Sequence, residues 1–152
     1  MKWVGLFIAI VVMGFASCGL VHAQPASGLV ITEVMTGSSS SASSEFVEIY
    51  NQSDSPVILT NIKIQYQASS QSPTNGSWTT KANLDGQLKA RSFLLASSTV
   101  FDSEHTSAGD FLLTSGLSST SGRIRIFDGS TALDSLTWGD GVQALEGTSI
   151  TA

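Results

Sequence analysis

The sequence predicts one all-β domain built as a sandwich or a barrel. After Ala23 no segment keeps the apolar period of 3.6 residues that an amphipathic helix requires. β-branched residues, serine and threonine dominate instead, and turn signals recur roughly every 10–15 residues. Together these observations place the domain between about residue 28 and about residue 147.

Residues 1–23 are predicted to form a helical signal peptide for secretion. Lys2 supplies a short positive region, and residues 4–13 form an apolar segment behind it. Small residues then precede an expected cleavage point between Ala23 and Gln24. The predicted location of the mature chain is therefore secreted and extracellular.

Two alternatives to cleavage after Ala23 stay open. The segment that ends at Cys18 is similar to a lipobox, which would attach lipid to Cys18 and hold the chain at the cell envelope. Residues 3–21 are also nearly long enough to act as an uncleaved membrane anchor. Cys18 is the only cysteine, so cleavage after Ala23 leaves no thiol for a disulfide, a zinc site or a nucleophile.

The charge balance argues against polyanionic partners. The 152 residues carry a net charge of −5, and loss of Lys2 leaves six basic against twelve acidic residues. The remaining cations are scattered, and the strand face shared by Arg123 and Arg125 is expected to be solvated. Because binding to nucleic acids and to anionic membranes depends on clustered lysine and arginine, neither partner is expected.

Alternating apolar and polar residues between turn signals mark the predicted strands. Asn61 is expected to interrupt an apolar segment, and Asp128-Gly129 is expected to turn the last two strands into a hairpin. Residues 36–44 have nothing large to bury and are expected to form a mobile loop, and residues 97–109 form another. The predicted strands are residues 28–35, 45–51, 62–67, 92–96, 123–127 and 131–138.

The segment 45–51 is the strand around which the predicted domain is organised. Phe46, Glu48 and Tyr50 leave one face of it, and the residues between them leave the other. Both faces are apolar, so we expect an inner strand with one face on the core and the other partly covered. We place Tyr50 in the core, where Tyr50→Ala would lower the free energy of unfolding by about 2–4 kcal/mol.

The order of these segments resembles the lamin tail domain as it occurs in secreted bacterial proteins. The resemblance implies an immunoglobulin-like β-sandwich with a binding or scaffolding role, because nuclear lamins use the domain for protein contacts. It brings no catalytic residue and no cofactor. The segments that carry it are residues 28–34, 45–51 with the terminal Asn51, 55–59, 88–95, 122–128, and 134–139 with Trp138-Gly139.

The chain departs from the family pattern at two places. A tryptophan usually follows the turn after the second strand, where this chain has Asn61-Ile62. We expect a smaller residue to fill that core position and Trp78 to compensate for it. Bacterial members also often continue past the Trp-Gly pair into another short strand, so this chain, which stops at Ala152, is expected to lack that strand or to be part of a longer protein.

Glu33, Glu45 and Glu48 are acids that two neighbouring strands would bring close together. A pair of carboxylates is the catalytic device of most glycosidases. Nothing in the sequence builds a substrate cleft around these three, however. We therefore expect them to accept hydrogen bonds from loop backbone or to pair with lysine or arginine at the sheet edge.

The loop acids offer the hard oxygen ligands that Ca²⁺ prefers. Their spacing does not follow the EF-hand order, and no metal site is predicted. His105, the only histidine after the signal peptide, is expected to be exposed, and no Gly-x-Ser-x-Gly element supports a serine hydrolase. The loop acids considered are Asp102, Glu104, Asp110, Asp128 and Asp140.

The sequence thus favours a secreted or cell-surface module that is not an enzyme and binds a protein or another cell-surface component. The alternative is an accessory domain or fragment of a larger extracellular hydrolase or adhesin. The second hypothesis expects a catalytic or anchoring domain beyond Ala152, and the first does not.

Overall fold

The computed structural model describes residues 28–106, 108–140 and 142–145. The predicted signal peptide, its cleavage point and Cys18 lie outside these residues. The described chain forms ten strands and one short helix, α1 (Thr99–Glu104). The strands are β1 (Leu29–Thr36), β2 (Glu45–Asn51), β3 (Val57–Ile58), β4 (Lys63–Ala68), β5 (Thr79–Asn83), β6 (Gln87–Leu88), β7 (Phe93–Ser97), β8 (Phe111–Leu112), β9 (Gly122–Phe127) and β10 (Ala132–Trp138).

The strands form two four-stranded sheets and one small ladder. The first sheet has the order β1-β2-β7-β8 and the second has the order β10-β9-β4-β5, while β3 pairs with β6. All paired strands are antiparallel except β7 and β8. The two large sheets enclose one apolar core. The predicted all-β, immunoglobulin-like sandwich is therefore confirmed.

The core is filled by the inward side chains of both sheets. Ile49 of the first sheet meets Ile64, Ile124 and Ile126 of the second, and none of these four side chains has exposed surface. They occupy alternate positions of their strands because successive side chains leave opposite faces of the pleat. Burial of each contributes about 1.5–3 kcal/mol, which stabilises the domain by packing.

Strand β2 corrects the predicted assignment of its two faces. Tyr50 lies on the outer face, where its ring centroid is 4.6 Å from that of Phe93. The placement of Tyr50 in the core is therefore wrong. On β2 the branched aliphatic side chains point into the space between the sheets, and the aromatic rings of Phe46 and Tyr50 point outward. The buried positions of β2 are Glu45, Val47, Ile49 and Asn51.

Asn51 fixes the turn after β2. Its side-chain amide is fully buried and donates to the carbonyl oxygens of Ser55 at 2.9 Å and Lys89 at 3.0 Å. Its Oδ1 accepts from the backbone N–H of Ser53 at 3.0 Å. One side chain thus satisfies buried backbone groups of two segments that are far apart in sequence.

Turn residues end the strands where the sequence predicted. Asn61 has a φ of 69° and separates β3 from β4. The carboxylate of Asp128 accepts from the backbone N–H groups of Ser130 at 2.8 Å and Thr131 at 2.7 Å. Asp128 thereby closes the predicted hairpin between β9 and β10, since Asp side chains can replace the backbone acceptor in a turn.

Five elements are absent from the strands predicted from the sequence: the two-residue strands β3, β6 and β8, strand β5 and helix α1. Strand β5 pairs with β4 although its residues, Thr79–Asn83, show no apolar alternation. Helix α1 lies inside the expected loop 97–109, and its N-cap is Ser98, whose side chain accepts from the backbone N–H of Phe101. No helix in the described part of the chain is long and apolar enough to cross a membrane.

Trp138 and the glycine behind it close the core at one end. The indole N–H of Trp138 donates to the carbonyl oxygen of Ser118 at 2.9 Å. Gly139 has a φ of +94°, and a Cβ there would lie 2.4 Å from the Cβ of Ser121. Glycine is therefore required by both backbone conformation and space.

The position that usually holds a family tryptophan is filled by Ile62. Its side chain is 7% exposed and belongs to the core. Trp78 is half-buried outside the core, where its ring stacks on the guanidinium group of Arg125. The prediction of a smaller core residue is confirmed, whereas the compensating role of Trp78 is wrong.

Candidate binding surfaces

The three predicted acids of β1 and β2 do not converge. Glu33 and Glu48 are direct cross-strand partners on the outer face of the first sheet, and Glu33 directly follows a register shift in β1. Thr32 lies at that shift and donates to Oε1 of Glu48 at 2.6 Å. Glu45 lies on the core face and is 1% exposed. The strand period places Glu45 and Glu48 on opposite sides of the sheet, since they are three residues apart.

Glu45 holds a loop from inside the sandwich. Its two carboxylate oxygens accept from the backbone N–H groups of Gly116 and Leu117, both at 2.8 Å. Lys81 completes the network by donating to the carbonyl oxygens of Ser115 at 3.0 Å and Gly116 at 3.3 Å. The sequence-based expectation that these acids bond loop backbone is met at Glu45.

The charges of Glu45 and Lys81 face each other at the edge of the core. Burial raises the pKa of Glu45, and the bonds from Leu117 and Gly116 together with the charge of Lys81 oppose this rise. Burial lowers the pKa of Lys81, and the charge of Glu45 opposes that change. The pair offsets part of the cost of taking two charges out of water, and its role is to position the loop.

Four of the five acids considered for Ca²⁺ accept hydrogen bonds within the domain, and the fifth, Asp140, is exposed. Oδ1 of Asp102 accepts from the backbone N–H of Gly109 at 3.1 Å, and Oδ2 of Asp110 accepts from that of Leu95 at 2.9 Å. Asp128 belongs to the β9–β10 turn. Among the residues described, no three or more His, Cys, Asp or Glu side chains lie together so as to hold a metal ion.

Glu104 fastens the serine-rich loop that precedes β2. Its carboxylate accepts from the hydroxyl groups of Ser44 at 2.5 Å and Ser40 at 2.8 Å, and these bonds lower its pKa. Ser44 is fully buried. The loop expected to be mobile is thus tied to α1 by hydroxyl–carboxylate bonds, which its composition alone did not indicate.

His105 ends α1 on the surface, as expected. Its ring stacks on Phe101 with centroids 4.0 Å apart, and its Nδ1 lies 2.8 Å from the carbonyl oxygen of Phe101. Phe101 in turn packs edge-on against Phe46 at 5.0 Å. The helix therefore covers one end of the outer face of the first sheet.

The rest of that outer face is open and largely apolar. We call it the first-sheet face. Phe93 is 58% exposed, and its ring lies beside that of Tyr50. Like charges at Glu33 and Glu48 lie next to this aromatic pair. The outward side chains of the face include Val30, Glu33, Met35, Phe46, Glu48, Tyr50, Phe93, Leu95 and, on β8, Leu112.

The outer face of the second sheet, the second-sheet face, is built around Arg125. Its guanidinium group lies between the rings of Trp78 at 4.1 Å and Phe127 at 4.2 Å. Nε and Nη2 of Arg125 both donate to Oε1 of Gln65, at 2.9 and 2.7 Å. Lys63, opposite Phe127, is the other half-exposed cation of this face.

The prediction that Arg123 and Arg125 share a solvated face is wrong. Arg123 is 2% exposed and donates to the carbonyl oxygens of Gln143 at 2.8 Å and Gln71 at 3.1 Å. Its Nη1 also lies 3.2 Å from Oε1 of Gln67. Burial lowers the pKa of both arginines. The segment after β10 and the loop after β4 cover this end of the sheet, which strand alternation cannot reveal.

Comparison with known families agrees with the fold. A family profile described as Lamin Tail Domain matches residues 22–140, which include all ten described strands. The chain belongs to the lamin tail domain family. Lamin tail domains are non-enzymatic modules of the immunoglobulin-like kind, and the resemblance seen in the sequence is confirmed. A search of curated proteins finds no match.

One cleft of this lamin tail domain lies where the edge strands β1 and β10 meet. Asp134 of β10 accepts from the backbone N–H of Ile31 at 2.7 Å and so occupies one donor of the β1 edge. The cleft has a volume of about 340 Å³. Its lining is mostly apolar with a hydroxyl-bearing rim: Thr32, Glu33, Val34, Thr36, Ser119, Leu136 and Trp138.

Strand alternation did not identify the accessible outer face of the first sheet, and the reason lies in β2. Tyr50, and with it Phe46 on the same side of the strand, was placed towards the core, although both point outward. The signal that was available is the apolar content of both faces of β2, which predicted an inner strand with a second covered face. Helix α1 covers only one end of this second apolar face, so the rest of the face remains accessible.

Proposed function

We propose that this lamin tail domain is a secreted, non-enzymatic module that binds a protein or another cell-surface component. The first-sheet face supports this most directly, because aromatic side chains there remain accessible around two carboxylates. Accessible apolar patches mark interaction sites. Aromatic side chains also dominate the few positions that carry most of the energy of an interface.

The chemistry of the described residues supports binding over catalysis. Glu33 and Glu48 lie side by side on an open sheet face, and the cleft that Glu33 borders has no second carboxylate in its lining. Glu45 is committed to two backbone N–H groups inside the sandwich. A general acid needs a substrate within hydrogen-bonding reach, and an open sheet face does not hold a substrate in place by itself.

We also propose that the mature chain begins at Gln24 and is released from the cell. The charged start, the apolar segment and the small residues up to Ala23 support this assignment. The intact mass of the exported chain tests it. A mass that fits an N-terminus at Gln24 is expected, and a diacylglycerol-modified Cys18 would contradict release and support an envelope-bound lipoprotein.

The binding surface is tested by comparing captured partners between variants of the full chain. Cells that export the tagged chain are cross-linked and the captured proteins are quantified by mass spectrometry. Phe93→Ser is expected to lower specific partners about tenfold, as loss of one aromatic anchor does. Ile58→Ser is the matched control, because Ile58 is 60% exposed on the separate β3–β6 ladder. Equal capture by wild type and Phe93→Ser would contradict the assignment of the surface.

A further inference from the structure

The charges of the sandwich are sorted by sheet. The first sheet carries three acids and no lysine or arginine in its strands, namely Glu33, Glu45 and Glu48. The second sheet carries four cations and one acid in its strands, namely Lys63, Lys81, Arg123, Arg125 and Asp134. In the described domain, the strands of the first sheet therefore carry a net negative charge and those of the second sheet a net positive charge.

Part of this charge is matched inside the domain. Glu45 and Lys81 face each other at the edge of the core. Arg123 is buried under carbonyl oxygens, and Asp134 binds the β1 backbone at the edge. The charges that remain outward are one pair of carboxylates on the first-sheet face and one pair of cations, Lys63 and Arg125, on the second-sheet face.

Neither outward pair takes part in an ion pair among the described residues, and the one cation that reaches the first-sheet face is Arg91, whose guanidinium group bonds the side chain of Tyr50 at its edge. The single ion pair found among the described residues joins Arg91 to Asp54 at 2.9 Å, in the segments beyond the ends of β2 and β7. The carboxylate of Glu48 accepts from the hydroxyl of Thr32 at 2.6 Å, and the same hydroxyl lies 3.4 Å from the backbone carbonyl oxygen of Glu48. Arg125 bonds only the neutral amide oxygen of Gln65.

The two faces also repeat one arrangement of charge and aromatic ring. On β2, Glu48 is followed two residues later by Tyr50, whose ring lies beside that of Phe93. On β9, Arg125 is followed two residues later by Phe127, and Arg125 also stacks on Trp78. Each face thus presents a pair of like charges beside two aromatic rings, and the sign of the charge is opposite on the two faces.

We propose that the partner of the first-sheet face is the second-sheet face of another copy of this chain. Carboxylates of one copy would lie against Lys63 and Arg125 of the next, with aromatic rings packed beside them. The inference rests on the proposed role of the first-sheet face as a binding surface. Because the two surfaces are different and lie on opposite sides of one sandwich, the contact is heterologous and does not close, so copies stack into an open series.

The mass of the purified exported chain, measured by sedimentation, tests this contact. Wild type is expected to form species that grow with concentration at about 20 mM salt and to dissociate at about 500 mM, since exposed charges are screened over a shorter distance there. If the mass of the species increases with concentration equally at both salt concentrations, the contact is not based on charge and the proposal is overturned. A wild type that stays monomeric at all concentrations would overturn the proposal.

Two variants separate an open series from a closed dimer. An acid-face variant carries Glu33→Gln and Glu48→Gln, and a cation-face variant carries Lys63→Gln and Arg125→Gln. Each alone is expected to stay monomeric, and their equimolar mixture is expected to stop at about twice the monomer mass, because only one intact face of each kind remains. A cation-face variant that still dimerises would show that first-sheet faces pair with each other and would overturn the proposal.

Controls keep the outcome interpretable. Lys63→Glu alone leaves the stack of Trp78, Arg125 and Phe127 in place. It is expected to abolish self-association without lowering the midpoint of thermal unfolding. Asp85→Asn with Lys89→Gln changes exposed charges away from both faces and is expected to leave growth unchanged. A wild-type chain that does not self-associate but captures another protein, with less capture by Phe93→Ser, would refute this inference. The proposed function would then still stand.

Discussion

At the scale of single residues, buried polar side chains specify how the loops of this domain are held. Asn51 and Glu45 are both fully or almost fully buried on the core face of β2, one at each end of the strand. Each satisfies backbone groups of segments far away in sequence. Both residues stand out in the sequence, yet their partners do not, because those partners are main-chain groups without a sequence signature.

Replacing Glu45 by glutamine is expected to lower the free energy of unfolding by about 1–3 kcal/mol, the cost of leaving a buried donor unpaired. The amide keeps one acceptor, so one of the N–H groups of Gly116 and Leu117 loses its partner. Urea unfolding measures the change. Glu48→Gln on the outer face is the matched control and is expected to change stability by less than about 0.5 kcal/mol. Equal effects of the two substitutions would contradict the inward position of Glu45.

Asp128 gives the β9–β10 hairpin a defined pH dependence. Bonds from Thr131 and Ser130 lower its pKa from 3.8 to about 2. The unfolded chain therefore binds this proton more readily, so the contribution is present above pH 3.8 and is lost as the pH falls towards 2. The stability difference between wild type and Asp128→Asn, followed by urea unfolding, is expected to shrink across that range. A difference that stays constant would contradict the turn geometry.

At the scale of elements, the sequence predicted strands well where alternation is strong and failed where pairing alone makes the strand. The hairpin of β9 and β10 follows from alternating residues around Asp128-Gly129. Strand β5 has a polar sequence and is a strand because β4 pairs with it. The two faces of β2 were exchanged because both are apolar, and only the packing of the opposite sheet decides which one is buried.

The faces of β2 can be separated by two truncations. Ile49→Ala is expected to lower the free energy of unfolding by about 2–5 kcal/mol, since it opens a cavity in the core. Tyr50→Ala is expected to cost no more than about 1.5 kcal/mol, the range of one aromatic pair. Chemical denaturation measures both. A larger cost for Tyr50→Ala than for Ile49→Ala would restore the original assignment of the faces.

At the scale of the whole molecule, the domain combines a common sandwich architecture with an unequal distribution of charge. Composition and turn spacing predicted the sandwich, and the segments ending in Asn51 and Trp138-Gly139 predicted the family. The separation of acids from cations was not visible in the sequence, because strands of the two sheets are interleaved along the chain. Sheet membership had to be known before the two charged faces could be recognised.

The central claim is that this lamin tail domain acts through its first-sheet face. Hydroxyl-radical footprinting tests it on the purified exported chain, alone and after incubation with the surface fraction of the cells that export it. Met35, Tyr50 and Phe93 are expected to oxidise in the chain alone, kept dilute enough to be monomeric, and to be protected in the mixture. Trp138, which is 4% exposed, should stay unreactive in both. Protection confined to residues outside this face, with Tyr50 and Phe93 still oxidised, would contradict the claim.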